Sequence, residues 1–577
     1  MRRVTMKRHI QHSYYVVGEG LWTFDAAQQP ACAVPAPHAE LRMFRFSRMG
    51  PQGELTDPAL IQELAKAMTN PAAQPDSSVN GATPIPAGFT YLGQFVDHDL
   101  TLDVTAAALG QDVTVDELLD GCSPALDLDS VYGRGPTNPQ DRRFYAADGI
   151  KLRTGTTAAV DVGSSTNPNP PHSVSTNTNL GGFDLPRVGT GPTKAAQRAP
   201  QIPDARNDEN LAVAQTHVAF IHFHNRVVDT LATQGVPSVM LFDRAQGEVV
   251  RHYQWMLRTD HLPRVIDPAL VEDVFTHGRR FFEATGSGAG DVGTMPIEFS
   301  VAAYRLGHSM IRDTYQWNRL FNSSPTGVLG IATLFQLFTF TGTSGNFTPT
   351  DPPNQAGLDD PNFGTLLRLP TNWIVDWRRL HDFTSTPLAE PIPPDGLRNV
   401  AKRIDTLLVN PLGQLPAGTF AGREQNLAID DIQRNLALRN LGRANMVRLA
   451  SGQQMARLFG AKELTQAEIL TGDGTGADLT APDQLNQVQQ NALVASTPLW
   501  FYILREAEIN GGRLGAVGGR IVAEVFHRAM EVSTFSIVRD PRWRPTFGPD
   551  RDTFRMVDLL LFAFNDDPAG LNPLGDA

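Results

Sequence analysis

Residues 209 to 235, ENLAVAQTHVAFIHFHNRVVDTLATQG, repeat apolar side chains at spacings of three and four and stop at a glycine. That period fits a long helix with a buried stripe and does not fit a strand, whose faces alternate every second residue. The stretches PIEFSVAAYRLGHSMIRDTY, RNLALRNLGRANMVRLASGQQMARLFG, GRIVAEVFHRAMEVSTFS and DTFRMVDLLLFAFND behave alike, strand-like alternation is scarce, and no internal repeat is visible. A mainly α chain is expected, with one large single core, long irregular loops and little β.

Three loops are rich in Gly, Pro, Ser, Thr and Asn: TGTTAAVDVGSSTNPNPPHSVSTNTNLGG, TGTSGNFTPTDPPNQAGLDDPNFG and GDGTGADLTAPD. Loops of this length in a compact body usually carry function or motion. Residues 1–75 read as an arm packed on the body, its one helical piece being PALIQELAKAMTN; residues 76–566 form the body and 567–577 a tail.

With 577 residues, 41% hydrophobic, 19% charged and a formal net charge of -12, the chain reads as a soluble globular protein. An acidic balance argues against nucleic acid as a partner. No apolar run approaches bilayer length and the N-terminus lacks the apolar core of an export signal, so no transmembrane segment is expected. Two cysteines, Cys32 and Cys122, make no disulfide scaffold and read as structural, which suggests a cytoplasmic protein or one exported by an unrecognised route.

Against this background five short motifs carry polar chemistry. In GQFVDHD, Gln94, Asp97, His98 and Asp99 sit at the end of an apolar run. Such a triplet is in most proteins the charged end of a helix, but consecutive helical side chains diverge by about 100°, so these three must serve three neighbours. In CSPALDLDSVYG, Ser123, Ala125, Asp127 and Asp129 alternate at a spacing of two. An extended loop would send their oxygens to one side, as a hard cation such as calcium requires, with Asp99 as a distant partner; the simpler reading is a turn with solvating aspartates. Arg206 and Glu209 stand three apart at a helix start, the geometry of a surface pair or of a shared site. His308 follows Arg305 and Gly307, where a flat cofactor could approach, although a lone buried histidine is more often a core residue. Asn440 and Arg443 lie one turn apart.

Together and in this order, the five motifs resemble the animal-type haem peroxidases of the peroxidase-cyclooxygenase superfamily, the group of myeloperoxidase and peroxidasin, which has bacterial members. The resemblance runs from about residue 80 to about 545 and includes VYG after the acidic loop, HNR at 224–226 and VDWRR at 375–379. It implies the large helical haem peroxidase fold, haem b and calcium as cofactors, and reduction of hydrogen peroxide through a ferryl-oxo haem. The electron donor would be a halide (iodide or bromide), thiocyanate or a small organic molecule. Response to oxidative stress is the implied setting.

The resemblance assigns roles residue by residue. His98 matches the distal histidine that moves the peroxide proton, Arg206 the distal arginine that stabilises the charge of O–O cleavage, and Gln94 the distal glutamine that hydrogen-bonds water or halide. His308 matches the axial iron ligand, and Asn440 the amide that accepts the other ring N–H of that ligand. Arg305 and Arg443 match haem-propionate and proximal-side supports. Asp97 and Glu209 match the carboxylates that esterify haem methyl groups. Asp99, Ser123, the Ala125 carbonyl, Asp127 and Asp129 match the calcium shell. Asn210 stands where myeloperoxidase has a methionine, so the sulfonium link is absent and iodide, thiocyanate or bromide is favoured over chloride.

The main rival is a fatty-acid dioxygenase of the same superfamily, which uses a tyrosine three residues before the proximal histidine. That position is Arg305, and Tyr304, one residue off, is expected to turn away by about 100°. A haem-carrying adhesion or matrix protein with weak turnover would lack His98 or Arg206, and both are present. His217, His222 and His224 do not share one helix face and read as packing residues rather than as a zinc site.

Overall fold

The structure, a computed structural model, describes residues 14–16, 20–24, 30–32, 44–70, 72, 84–103, 105, 110–160, 178–284, 293–325, 329–344, 358, 366–415 and 431–576. Residues 1–13, 17–19, 25–29 and 33–43 of the expected N-terminal arm, the centres of the first two long loops and the side chain of Cys32 lie outside the described residues. The helices that matter for the site are α1 (Pro58–Met68), α2 (Gly88–Leu100), α3 (Leu211–Thr233), α4 (Ser238–Met256), α5 (Gly307–Met310), α6 (Leu436–Met446), α7 (Leu499–Ile509), α8 (Gly518–Val532) and α9 (Met556–Ala563). The described strands are two to five residues long and form one three-stranded and three two-stranded sheets. The fold is the mainly helical one that the periodicity implies. Among the described residues no helix is long and apolar enough to cross a membrane.

Helix α3 is the axis of the body. The Asn210 side chain caps it by accepting from Val213 N at 3.0 Å, and Gly235, at φ 82°, follows its end. Residues 211–221 are buried all round, so the helix runs through the core rather than along its surface. α4 returns against it, α9 covers it, and α2 crosses it with Phe95 stacked on Phe220 at 4.6 Å between ring centroids. α2 begins at Gly88, where a Cβ would stand 2.2 Å from the His381 ring, so only glycine permits this approach.

Two irregular helical stretches shape the site. α4 runs on through a wide π turn, Leu257–His261, into Leu262–Val265. Pro263 lacks an N–H and its ring would clash with the carbonyl four residues earlier, and the wider turn relieves both problems. The segment before His308 reads in the sequence as one continuous helix. In the structure it is a π turn (Glu298–Ala302), a 3₁₀ turn (Ala303–Leu306) and then α5. Trp500 Nε1 of α7 donates to the Arg305 carbonyl at 3.3 Å, and Ala302 adopts φ -132°, ψ -72°.

The C-terminal part of the expected arm is stitched in as well. Phe46–Ser47 pairs in parallel with Met295–Pro296, and the buried Glu298 carboxylate accepts from Met49 N and Gly50 N at 2.9 and 3.0 Å. Leu60, Leu64 and Met68 of α1 belong to the same apolar cluster that continues to Leu574.

Candidate active site

One cavity encloses about 1260 Å³ of atom-free space, counting its solvent-open mouth. One wall is α2 with the turn Ala205–Asp208, which supply Gln94, Asp97, Arg206 and Glu209. The other is the broken helix with α6, which supply Arg305, His308 and Arg443. Five motifs scattered over 350 residues of sequence therefore meet at one place or directly behind it, because α2 packs on both α3 and α5.

The first wall is held by a chain of amides. Asn210 Nδ2 donates to Gln94 Oε1 at 2.9 Å, and Gln94 Nε2 donates to Glu209 Oε1. Glu209 Oε2 is buried with no hydrogen-bond partner, and burial pushes this carboxyl well above its ordinary range against the pull of Arg206. Asp97 Oδ1 accepts from Thr101 Oγ1 at 2.9 Å, and burial raises this carboxyl too, opposed by Arg206 and Arg305. Gln94, expected to face water or halide, is thus engaged as a strut between Glu209 and Asn210.

Arg206 lines the cavity but is clasped from behind. Its Nε donates to Asp204 at 3.0 Å, Nη2 to Asp204 at 2.6 Å and to the His98 carbonyl at 2.8 Å, and Nη1 to the Thr101 carbonyl at 2.6 Å. His98 itself is fully buried and does not line the cavity; its Nδ1 stands 2.9 Å from Asn207 Oδ1. The sequence places His98 at the site, and the structure puts it one layer behind the wall formed by Gln94 and Asp97.

On the opposite wall the His308 imidazole is kept neutral: burial, and then the charge of Arg305, bring its pKa down to about 3. Asn440 Nδ2 lies 2.9 Å from His308 Nδ1, and Arg305 Nη1 donates to Asn440 Oδ1. The resemblance implies an amide oxygen facing the ring; here Arg305 takes that oxygen and the amide nitrogen faces the ring instead. Arg443 pairs with Asp103 at the cavity edge.

Three observations test whether haem fits between these walls. His308 presents a neutral imidazole, which can ligate at Nε2 once the Asn440 amide turns over. A Cβ built on Gly307 would meet nothing within 4 Å, so the space beside that ligand is open to a flat group. Glu209 Oε2 is an orphaned carboxylate oxygen on the facing wall. Haem suits all three.

The acidic loop is less organised for a cation. Asp99 accepts from Leu128 N (3.1 Å) and Ser130 N (3.3 Å), and Asp129 accepts from Ser123 Oγ (2.7 Å). Asp127 turns to the end of α8, where it accepts from Ser533 Oγ (2.5 Å) and Thr534 N (3.1 Å). Burial, then Asp129, pushes the Asp99 carboxyl well up. The donors are all oxygen, yet among the described residues no three His, Cys, Asp or Glu side chains are gathered closely enough to hold a metal.

Tyr304 departs from its expected direction. It lines the same cavity as His308, and its hydroxyl stands 3.4 Å from His261 Nε2. Tyr304 lies in the 3₁₀ turn Ala303–Leu306 and His308 in α5, and both side chains reach the cavity. His222 and His224 bond the carbonyls of Gly182 (2.7 Å) and Ile150 (2.9 Å), as packing residues do. Sequence reasoning missed Asp204, Asn207 and His261. The run DARNDEN was a signal for the first two, since seven residues rich in polar groups precede a helix buried from its first turn.

Residues 94–337 match the family model of the animal haem peroxidase. The match takes in the wall of Gln94, Asp97, Arg206 and Glu209 and the broken helix with Arg305 and His308, and ends before α6 with Asn440 and Arg443. Over those residues the chain carries an animal haem peroxidase domain. A peroxidase-like protein from Margaritifera margaritifera is 32% identical over 114 residues, which are 19% of this chain and only 14% of that protein. Peroxidase A from Dictyostelium discoideum shares the fold at a TM-score of 0.50, with 14% identity and 98% of each chain covered. A fatty acid alpha-dioxygenase from Arabidopsis thaliana does so at 0.50, with 11% identity over 98% of this chain and 83% of that one. Both likenesses bear on fold alone. A domain of that family implies haem as the cofactor and oxidoreductase chemistry.

Proposed function

We propose that this chain is a haem peroxidase that reduces hydrogen peroxide while oxidising iodide, bromide, thiocyanate or a small organic donor. The observation that carries the reading is the neutral His308 facing Asp97, Arg206 and Glu209 across one cavity, with open space at Gly307. Haem held there would supply an iron centre able to accept two oxidising equivalents from peroxide.

The residues divide the remaining work. His308 Nε2 would hold the iron, Arg305 and Arg443 would offer positive charge to the propionates, and Asp97 and Glu209 would be the ester-forming carboxylates. His98 Nε2 takes the peroxide proton and returns it to the departing oxygen, a transfer that has to cross the wall between cavity and imidazole. Arg206 supplies fixed positive charge where negative charge develops. Asn210, tied to Gln94 and capping α3, gives no sulfonium link, which favours the more easily oxidised halides over chloride.

Stopped-flow spectra of the haem-loaded protein test this. One equivalent of peroxide should change the Soret band quickly, and iodide or bromide should restore it. A Soret band indifferent to peroxide would end the peroxidase reading.

Calcium held by Asp99, Ser123, the Ala125 carbonyl, Asp127 and Asp129 belongs to the same proposal; the donors are all oxygen, and binding requires Asp127 to turn back from Ser533 and Thr534. A chelator should then lower the melting temperature by several degrees and added Ca²⁺ restore it; no shift in either direction rejects the ion.

A second reading, a fatty-acid dioxygenase, is favoured by Tyr304 lining the cavity beside His261. It requires oxygen uptake with a long-chain fatty acid that Tyr304→Phe abolishes; uptake absent in the parent, or unchanged in the variant, excludes it.

A further inference from the structure

Asn207 is fully buried on the turn Ala205–Asp208 and does not line the cavity. Its amide joins two imidazoles from different helices. Oδ1 lies 2.9 Å from Nδ1 of His98 on α2, and Nδ2 lies 3.0 Å from Nδ1 of His217 on α3.

An amide has one accepting end and one donating end, so these two rings cannot be in the same state. The ring facing Oδ1 must carry its hydrogen on Nδ1, and the ring facing Nδ2 must keep Nδ1 bare. His217 can accept there only while neutral, and burial holds its pKa down at about 3. Its ring also packs edge-on against Phe95 at 6.0 Å, which fixes its plane.

We propose that Asn207 is a positioning residue that holds His98 in the Nδ1–H tautomer, leaving Nε2 as the basic nitrogen, with His217 accepting from the other end of the same amide. This deepens the peroxidase reading and rests on it for the role of His98. The physical content is that a general base needs its lone pair on the reacting nitrogen, and the bond at the other nitrogen decides which one that is. With the amide reversed, Nδ1 of His98 would face a donor, its hydrogen would move to Nε2, and that nitrogen could no longer take a proton.

Nitrogen-15 NMR of the haem-free protein, labelled at histidine, reads the tautomers without any turnover. His98 should show hydrogen on Nδ1 and His217 on Nε2. Asn207→Asp, which accepts at both ends, should keep His98 as it is and move the His217 hydrogen to Nδ1. Asn207→Leu should let His98 populate the Nε2–H form. In the haem-loaded protein it should slow the peroxide reaction at least tenfold with haem affinity unchanged, while Asn207→Asp retains the parental rate. Should Asn207→Leu fail to fold, His217→Phe replaces it and is expected to give a mixture of His98 tautomers.

Hydrogen on Nε2 of His98 in the parent, or tautomers unmoved by Asn207→Leu and His217→Phe, overturns the inference. A parent with the stated tautomers but no reaction with peroxide upholds the tautomer lock and removes the peroxidase reading instead.

Discussion

The amide nitrogen of Asn440 stands 2.9 Å from Nδ1 of His308. Arg305 fixes that orientation by donating to the amide oxygen, so in this arrangement the ring accepts at Nδ1 and carries its hydrogen on Nε2. A metal at Nε2 demands the opposite tautomer, with the amide turned over.

Asn440→Asp has no donating end and accepts from His308 Nδ1–H in either case. A charge-assisted hydrogen bond is worth about 1.5–3 kcal/mol. For one electron, about 59 mV corresponds to a factor of ten, so the ferric–ferrous potential of the haem-loaded variant should fall by roughly 60–130 mV. Spectroelectrochemical titration measures it, and an unchanged potential would mean that residue 440 does not govern the ligand's basicity.

Glu209 Oε2 has no partner, whereas the Asp97 oxygen Oδ1 is held by Thr101. If both carboxylates form esters, the unpartnered one is better placed to do so. Acid solvent extraction should therefore release more haem from Glu209→Gln than from Asp97→Asn, and both should release more than the parent. Equal release from all three proteins would remove the ester links.

The sequence was most legible where period and spacing decide structure. The long helix ending before Gly235 follows from helical patterning, and the meeting of Gln94, Asp97, Arg206, Glu209 and His308 at one cavity is what the family resemblance implies. It was least legible where a local exception overrides the period. The break before His308 depends on Trp500, nearly two hundred residues away, taking the Arg305 carbonyl. The direction of the Asn440 amide depends on Arg305, and the burial of His98 behind the wall depends on Asn207 and the Arg206–Asp204 clasp. Such partner choices are made by tertiary contacts, which no spacing rule encodes.

Acid should act on the buried imidazoles. Burial, and then the charge of Arg264, hold His381 at about 3 in the fold, against 6.5 ordinarily. Between these values the unfolded chain binds a proton that the folded chain does not, so this contribution is complete above about pH 6.5 and is lost as pH falls toward 3. Buried carboxyls with raised pKa, such as Asp120 at about 8, work in the opposite sense, so the His381 contribution has to be read as a difference. His381→Phe, which keeps an aromatic ring beside Phe89, should flatten the stability–pH slope by up to about 1.4 kcal/mol per pH unit in that window. Denaturant melts from pH 4 to pH 7 give the slope, and parallel curves for parent and variant would show that His381 is already protonated in the fold.

Arg206 carries two roles that one pair of variants can separate. Its guanidinium ties the carboxylate of Asp204 to the carbonyls of His98 and Thr101, all within 3.0 Å. Removing it leaves a buried carboxylate without this partner, and breaking a buried pair in this way costs about 3–5 kcal/mol. Arg206→Ala should therefore lower stability by that amount and also slow the reaction with peroxide by orders of magnitude. Asp204→Asn keeps the carbonyl contacts and removes the offsetting negative charge, so the positive charge at the cavity is stronger and peroxide should react at least as fast as with the parent. If Asp204→Asn is as slow as Arg206→Ala, the arginine acts only by bracing α2, because a freed charge has then brought no gain where the O–O bond would break.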